Sequence, residues 1–128
     1  MSAAVDFDPQ PESVGAARRF IAAQLADLPV DLRDVAQLCV SELATNSVIH
    51  AGTRFTVRIT RSRTQLRVEV TDASTDPARL RRPRHTETHG RGLQIVSSLA
   101  DEWGTRPADA VSGKTVWFAL RTQPGPAR

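Results

Sequence analysis

The sequence has 128 residues, 40% of them hydrophobic, which is enough for one domain with a buried core and too apolar for a disordered chain. Its net charge of +3 and its lack of tyrosine do not favour a nucleic-acid surface or a base-stacking platform. No apolar run reaches membrane-spanning length and the N-terminus lacks a secretory layout, so we expect a cytoplasmic protein without membrane contact. The single cysteine, Cys39, excludes an intrachain disulfide and lies among apolar residues, where a buried, inert thiol is expected.

The first half of the chain is predicted to form one short strand and two helices. The strand covers residues 4–7, and apolar residues at helical spacing then predict a helix over residues 11–27. The clearest helical pattern covers residues 32–50, with Asp31 as its N-cap and Gly52 as its stop.

This second helix carries an unusual polar set. Glu42, Asn46 and His50 are spaced four residues apart and share one face, which borders the apolar stripe. Polar groups in that position need partners, and a bound cation would supply them. Asn46 offers a neutral oxygen of the kind that Mg²⁺ accepts, and Glu42 could take up a proton. Taken alone, however, the two residues are more typical of an ordinary polar helix surface than of a ligand site.

The second half is predicted to contain four strands, a long loop and a third helix. Period-two alternation and apolar runs place the strands at residues 54–60, 65–71, 102–105 and 115–120. Residues 73–89 lack apolar periodicity, which is typical of a functional lid or a disordered segment. We expect a single domain over residues 1–121 and a flexible tail over residues 122–128.

Two further sites with polar or glycine residues are candidates for ligand binding. One is Asp72, at the end of a predicted strand, and the other is the turn before the third helix. Asp72 could accept a hydrogen bond from an exocyclic amino group such as that of adenine, although a strand-terminal aspartate is more often a turn former. Glycines before the third helix would let phosphate approach backbone N–H groups at the helix start, although such glycines are common. The residues assigned to this turn are His89, Gly90, Arg91, Gly92 and Leu93.

In combination, these segments resemble the motifs of the GHKL, or Bergerat-fold, ATPases. Residues 42–51 resemble the N box of that family, and residues 70–74 and 90–96 resemble its two glycine boxes. Residues 113–117 look like the closing strand. The resemblance covers about residues 5–121 and is closest to the small bacterial anti-sigma factors and serine-protein kinases.

The resemblance implies a role for each of these candidate residues. Asn46 would coordinate Mg²⁺, and Glu42 would be the general base for phosphoryl transfer from ATP. Asp72 would bind the adenine amino group, with Thr115 making a further contact on the adenine side, direct or through water. The turn at residues 90–92 would hold the phosphates.

The implied fold is α+β, a two-layer α/β sandwich. Its mixed, mostly antiparallel sheet would be covered on one face by about three helices, and residues 73–89 would form the ATP lid. The chain departs from the family pattern at Ser74, where a glycine is usual. A side chain there would crowd the adenine pocket or restrict the lid.

The resemblance also implies a regulatory function. The chain would be an anti-sigma factor with serine/threonine kinase activity toward a STAS-type anti-anti-sigma partner, and it would also bind a sigma factor. Related kinases are commonly dimers, so a homodimer is one of the assemblies that the resemblance implies for this chain. Ser74 and the arginine-rich lid motivate the alternative of a nucleotide- or protein-binding module without phosphotransfer. A nucleic-acid binder is disfavoured, because the strand arginines fall on solvent-facing positions.

Overall fold

The computed structural model describes residues 1–74, 91–108 and 113–122. Its strands are β1 (Ser2–Phe7), β2 (Phe55–Arg61), β3 (Gln65–Asp72), β4 (Glu102–Pro107) and β5 (Lys114–Arg121). Its α-helices are α1 (Pro11–Gln24), α2 (Val30–Asn46) and α3 (Arg91–Leu99). A π-helical segment, Ser47–Ala51, directly extends α2. No helix in these described ranges is long and apolar enough to cross a membrane.

The five strands form one sheet in the order β1-β2-β3-β5-β4, and each neighbouring pair is antiparallel. The predicted α+β, two-layer architecture is therefore confirmed, with a sheet that is antiparallel at each described pairing where a mixed sheet was expected. The reason lies in the β4–β5 hairpin. It inserts β5 between β3 and β4, so the two strands that run parallel and are joined through α3 never become neighbours.

The core lies between one face of this sheet and the helices. Alternate residues of β2 and β3 point inward, so that Val57, Ile59, Leu66 and Val68 are fully buried. Helix α2 is the central helix, because it packs against α1 and α3 and also contacts β3 and β5. The helix that carries Glu42 and Asn46 is thus held by contacts with two helices and with the sheet.

The opposite face of the sheet is covered by charged and aromatic side chains. The Arg67 guanidinium lies 4.0 Å from the centroid of the Trp117 ring, as in a cation–π contact. Glu69 accepts hydrogen bonds from Arg67 at 3.1 Å and from Arg106 at 3.2 Å. This outer face therefore needs no second layer of helices.

The ends of the second helix differ from the sequence prediction. Asp31 is not the N-cap. Helix α2 begins at Val30, two residues before the predicted start at residue 32, so Pro29 is the N-cap and Asp31 lies in the first turn. At the other end the α-helix stops at Asn46 and widens into the π-helical segment. Gly52 ends it with φ of 64°, as predicted, and donates its N–H to the Ser47 carbonyl.

We expect Cys39, which is buried on α2, to resist thiol reagents in the folded protein. Burial, with a smaller effect of the Glu42 carboxylate, raises the pKa of the Cys39 thiol from 9.0 to about 12. A thiol reagent at pH 8 should therefore modify the native chain far more slowly than the chain in guanidinium chloride. Because the unfolded thiol ionises first, the free energy of unfolding should fall as the pH rises from about 9 toward 12.

The Cys39→Ala variant provides the control for this prediction. It should show no thiol reaction and a smaller loss of stability over the same pH range. Rapid modification of the folded wild-type chain at pH 8 would contradict the assignment.

Candidate functional site

The C-terminal end of α2 and the last residue of β3 meet at one place. The Ser47 hydroxyl donates a 3.1 Å hydrogen bond to Oδ2 of Asp72, and both residues are buried. Asn46 immediately precedes Ser47, and Glu42 lies one helical turn earlier on the same face. The structure therefore brings the helix turn that carries Glu42 and Asn46 close to the end of β3, where Asp72 lies.

The helix widens at Ser47, the residue at which α2 and β3 meet. The π-helical segment begins at the residue that contacts Asp72. Single π-helical turns within helices are rare, and they occur frequently at functional sites because they redirect side chains locally. Here the altered geometry lies between Asn46 and the stop at Gly52.

Glu42 and Asn46 have unused hydrogen-bonding capacity. Both side chains are partly buried, and within the described ranges neither makes a hydrogen bond or an ion pair with its surroundings. The Asn46 amide oxygen is a hard donor of the kind that Mg²⁺ accepts, with further positions left for water and phosphate oxygens. The residues present therefore fit a magnesium ion that shares its coordination with a bound nucleotide.

Asp72 presents the opposite situation, because its carboxylate is fully engaged. Oδ1 accepts hydrogen bonds from the Lys114 ammonium at 2.8 Å and from the Ser74 backbone N–H at 2.9 Å. Oδ2 accepts from Ser47 and, at 3.1 Å, from Lys114. These four bonds use the four acceptor positions that a carboxylate offers. The side chains of Asp72 and Lys114 are only 5% and 13% exposed, so the pair is a nearly buried ion pair.

Lys114 is the site residue that sequence reasoning missed. It is the cross-strand partner of Asp72, in the register in which Thr71 pairs with Thr115. The signal was present in the alternation of β5, since residues facing the helices must include position 114 if Val116 and Phe118 do. The side chain that shares the pocket with Asp72 is therefore a lysine.

Thr115 is not brought to this pocket. Because side chains alternate along a strand, Thr115 lies on the opposite face of the sheet from Asp72. Its hydroxyl is hydrogen-bonded to the Thr71 hydroxyl at 2.7 Å, and the residue is buried. This position does not suit the adenine-side contact assigned to Thr115. The hydrogen bond with Thr71, its cross-strand partner, gives the threonine a structural role instead.

Gly113 allows the two strands to close around the ion pair. Its φ is 149°, and a Cβ atom added there would lie 2.0 Å from the Asp72 carbonyl oxygen. No other residue type can occupy this position without moving the backbone of β3 or β5. The glycine therefore fixes the approach that presents Lys114 to Asp72.

The predicted phosphate turn is described only in part. His89 and Gly90 lie outside the described residues, as does most of the predicted lid, residues 75–89. Helix α3 begins at Arg91, next to the predicted turn, and its first turn includes Gly92. Leu93 is 5% exposed and packs in the core, so its side chain anchors the start of α3.

Comparison with known families agrees with this arrangement. The sequence profile of the histidine kinase-like ATPase domain matches residues 7–120. The chain therefore belongs to the histidine kinase-like ATPase domain family, which supports a role as an ATP-binding module. A comparison with curated proteins gave no match.

Replacement of Gly113 tests the close approach of the strands. Gly113→Ala should lower the free energy of unfolding by about 3 kcal/mol or more, because it combines a disfavoured φ with overlap of the Asp72 backbone. Urea denaturation followed by circular dichroism measures the loss.

Gly52→Ala is the matched control for this substitution. Gly52 also has a positive φ, of 64°, but no atom lies within 4 Å of an added Cβ. Its loss should be about 1 kcal/mol. If both variants lost the same free energy of unfolding, the close approach to the Asp72 backbone would add nothing to the cost of replacing Gly113.

Proposed function

We propose that this chain is an ATP-binding regulatory protein that binds ATP with Mg²⁺ at the junction of α2 and β3. The proposal is carried by one observation: the Ser47–Asp72 hydrogen bond joins the helix turn that bears Glu42 and Asn46 to the end of β3. Membership of the histidine kinase-like ATPase domain family supports ATP as the nucleotide. Asp72 would receive the adenine base, and the start of α3 would lie toward the phosphates.

In this proposal Asn46 holds Mg²⁺ through its amide oxygen. The ion would neutralise charge on the phosphate oxygens of ATP when bound. The role suits a partly buried amide that has no competing partner in the described part of the chain. It also suits a position at the end of an α-helix, where Asn46 is held by the packing of its neighbours Leu43 and Ala44.

We further propose that the chain is a serine/threonine protein kinase. Glu42 would take the proton from the hydroxyl of a protein substrate as that oxygen bonds to the γ-phosphorus of ATP. The bond from the γ-phosphorus to the bridging oxygen breaks, and ADP leaves with that oxygen. The substrate proposed is a STAS-type anti-anti-sigma protein, and a sigma factor is the second proposed partner, within a partner-switching system.

A second candidate function is a nucleotide- or protein-binding module without phosphotransfer. The observation that favours it is the engagement of all four acceptor positions of Asp72 by groups of the chain itself. The backbone N–H of Ser74 provides one of these bonds, at the position where the GHKL pattern has glycine. In the second candidate Glu42 does not act on a substrate, and the chain binds a nucleotide or only a protein partner.

Nucleotide binding is tested by Asn46→Ala. The variant should bind ATP at least about tenfold more weakly than the wild type in the presence of Mg²⁺, because it removes the amide ligand of the ion. Without Mg²⁺ the two proteins should bind ATP equally. Isothermal titration calorimetry gives both comparisons.

Asp34→Ala provides the control for a general effect of substitutions on α2, because Asp34 is an exposed residue of the same helix. It should bind Mg²⁺–ATP as the wild type does. Wild-type protein that binds no ATP would rule out both candidate functions that involve a nucleotide.

Phosphotransfer is tested by Glu42→Gln. The substitution keeps the shape of the side chain and removes the base, so the rate of phosphate transfer should fall by about 100-fold or more while ATP affinity changes little. The assay uses ATP labelled at the γ-phosphate and a STAS-type anti-anti-sigma protein from the same genome. If wild type and variant are equally inactive toward that partner, the kinase proposal fails and the binding module remains.

A further inference from the structure

Lys114 stands where a base would have to bind Asp72. Its ammonium lies 2.8 Å from Oδ1 and 3.1 Å from Oδ2 of the same carboxylate. The remaining two acceptor positions are taken by Ser47 and by the backbone N–H of Ser74. A ligand that offers a hydrogen-bond donor therefore finds no open lone pair on Asp72.

One of the four donors must leave before a ligand donor can bind. Ser47 is buried at the start of the π-helical segment, and the Ser74 N–H belongs to the backbone two residues after Asp72. Lys114, by contrast, is attached through a flexible four-carbon chain and is slightly more exposed than its partner. The lysine is thus the donor that a base displaces most readily.

We propose that Lys114 determines the base selectivity of the site by competing with the 6-amino group of adenine for Asp72. The inference rests on the proposed function, in which Asp72 receives that group. Adenine must replace charged hydrogen bonds with one from a neutral amine, which is the weaker donor. A purine with oxygen at the 6-position can instead accept a hydrogen bond from Lys114 without breaking the pair.

Lys114→Met tests this selectivity. The side chain keeps its length and loses its ammonium, so Asp72 gains open acceptor positions for adenine. We expect the affinity for ATP relative to inosine triphosphate to rise about tenfold or more, as measured by calorimetry with Mg²⁺ present. Inosine triphosphate differs at the 6-position, so the ratio cancels any loss of affinity for triphosphates caused by the lost positive charge.

Two variants serve as controls. Lys114→Arg keeps a cation opposite Asp72 and should leave the ratio close to that of the wild type. Asp27→Asn breaks the exposed ion pair with Arg61, whose shortest separation is 2.8 Å, at the far end of β2. It removes one charged group without touching the site and should not change the ratio.

A measurement on the unchanged protein covers the case in which Lys114→Met does not fold. Lys114 is the only lysine in the sequence, so protein labelled with ¹³C-lysine gives one lysine ε-carbon resonance. Saturating ATP should shift this resonance as the ammonium leaves Asp72. A resonance that stays in place while ATP binds would overturn the proposal.

The outcomes separate this inference from the proposed function. ATP binding by the wild type, with an unchanged ratio in Lys114→Met, overturns the selectivity role and leaves the nucleotide site intact. Failure of the wild type and of each folded variant to bind either nucleotide overturns both. A raised ratio together with a shifted lysine resonance supports the competition between Lys114 and adenine.

Discussion

The contact between Asp72 and the groups around it is the constraint on which the site depends. Ser47 comes from the end of α2, Lys114 from the start of β5 and Asp72 from the end of β3, so one carboxylate joins three elements. A nearly buried charge is costly unless it is paired and fully hydrogen-bonded. The ends of these three elements must therefore lie close to the Asp72 carboxylate. Gly113 serves the same requirement, because a side chain at that position would overlap the backbone of Asp72.

The central position of α2 explains why the two halves of the site behave differently. Its apolar face is held by the core, which fixes the backbone at Glu42 and Asn46 without using their polar groups. Those groups are available for a ligand, whereas the strand-end carboxylate is already bound within the fold. Within the part of the chain that the structure describes, Glu42 and Asn46 thus keep free polar atoms on a fixed backbone, whereas a ligand donor could reach Asp72 only by displacing one of its present partners.

The sequence allowed prediction of the helices and strands, since these depend on local periodicity, whereas the roles of the site residues came from the family resemblance. The i, i+4 spacing of Glu42 and Asn46 needs only a helix, and their position on α2 follows at once. The pairing of Asp72 with Lys114 depends instead on the register between β3 and β5, because the two residues are 42 positions apart in the chain. Local patterns do not set that register, although the alternation of β5 already indicates that Lys114, and not Thr115, faces the helices. The N-cap prediction at Asp31 was wrong for a local reason, because Pro29 already occupies the N-cap position two residues earlier.

Strand β3 carries acidic side chains on both faces, and their surroundings differ. Glu69 lies on the outer face among Arg67 and Arg106, whose side chains are about one-third exposed, while Asp72 lies on the inner face beside Lys114. Dissolved salt screens charges that water can reach and has little effect on those enclosed by protein. Ionic strength therefore acts on the ion pairs of the outer face and has little effect on the Asp72–Lys114 pair, so the charge at the inner end of β3 is set by the chain and hardly by the medium.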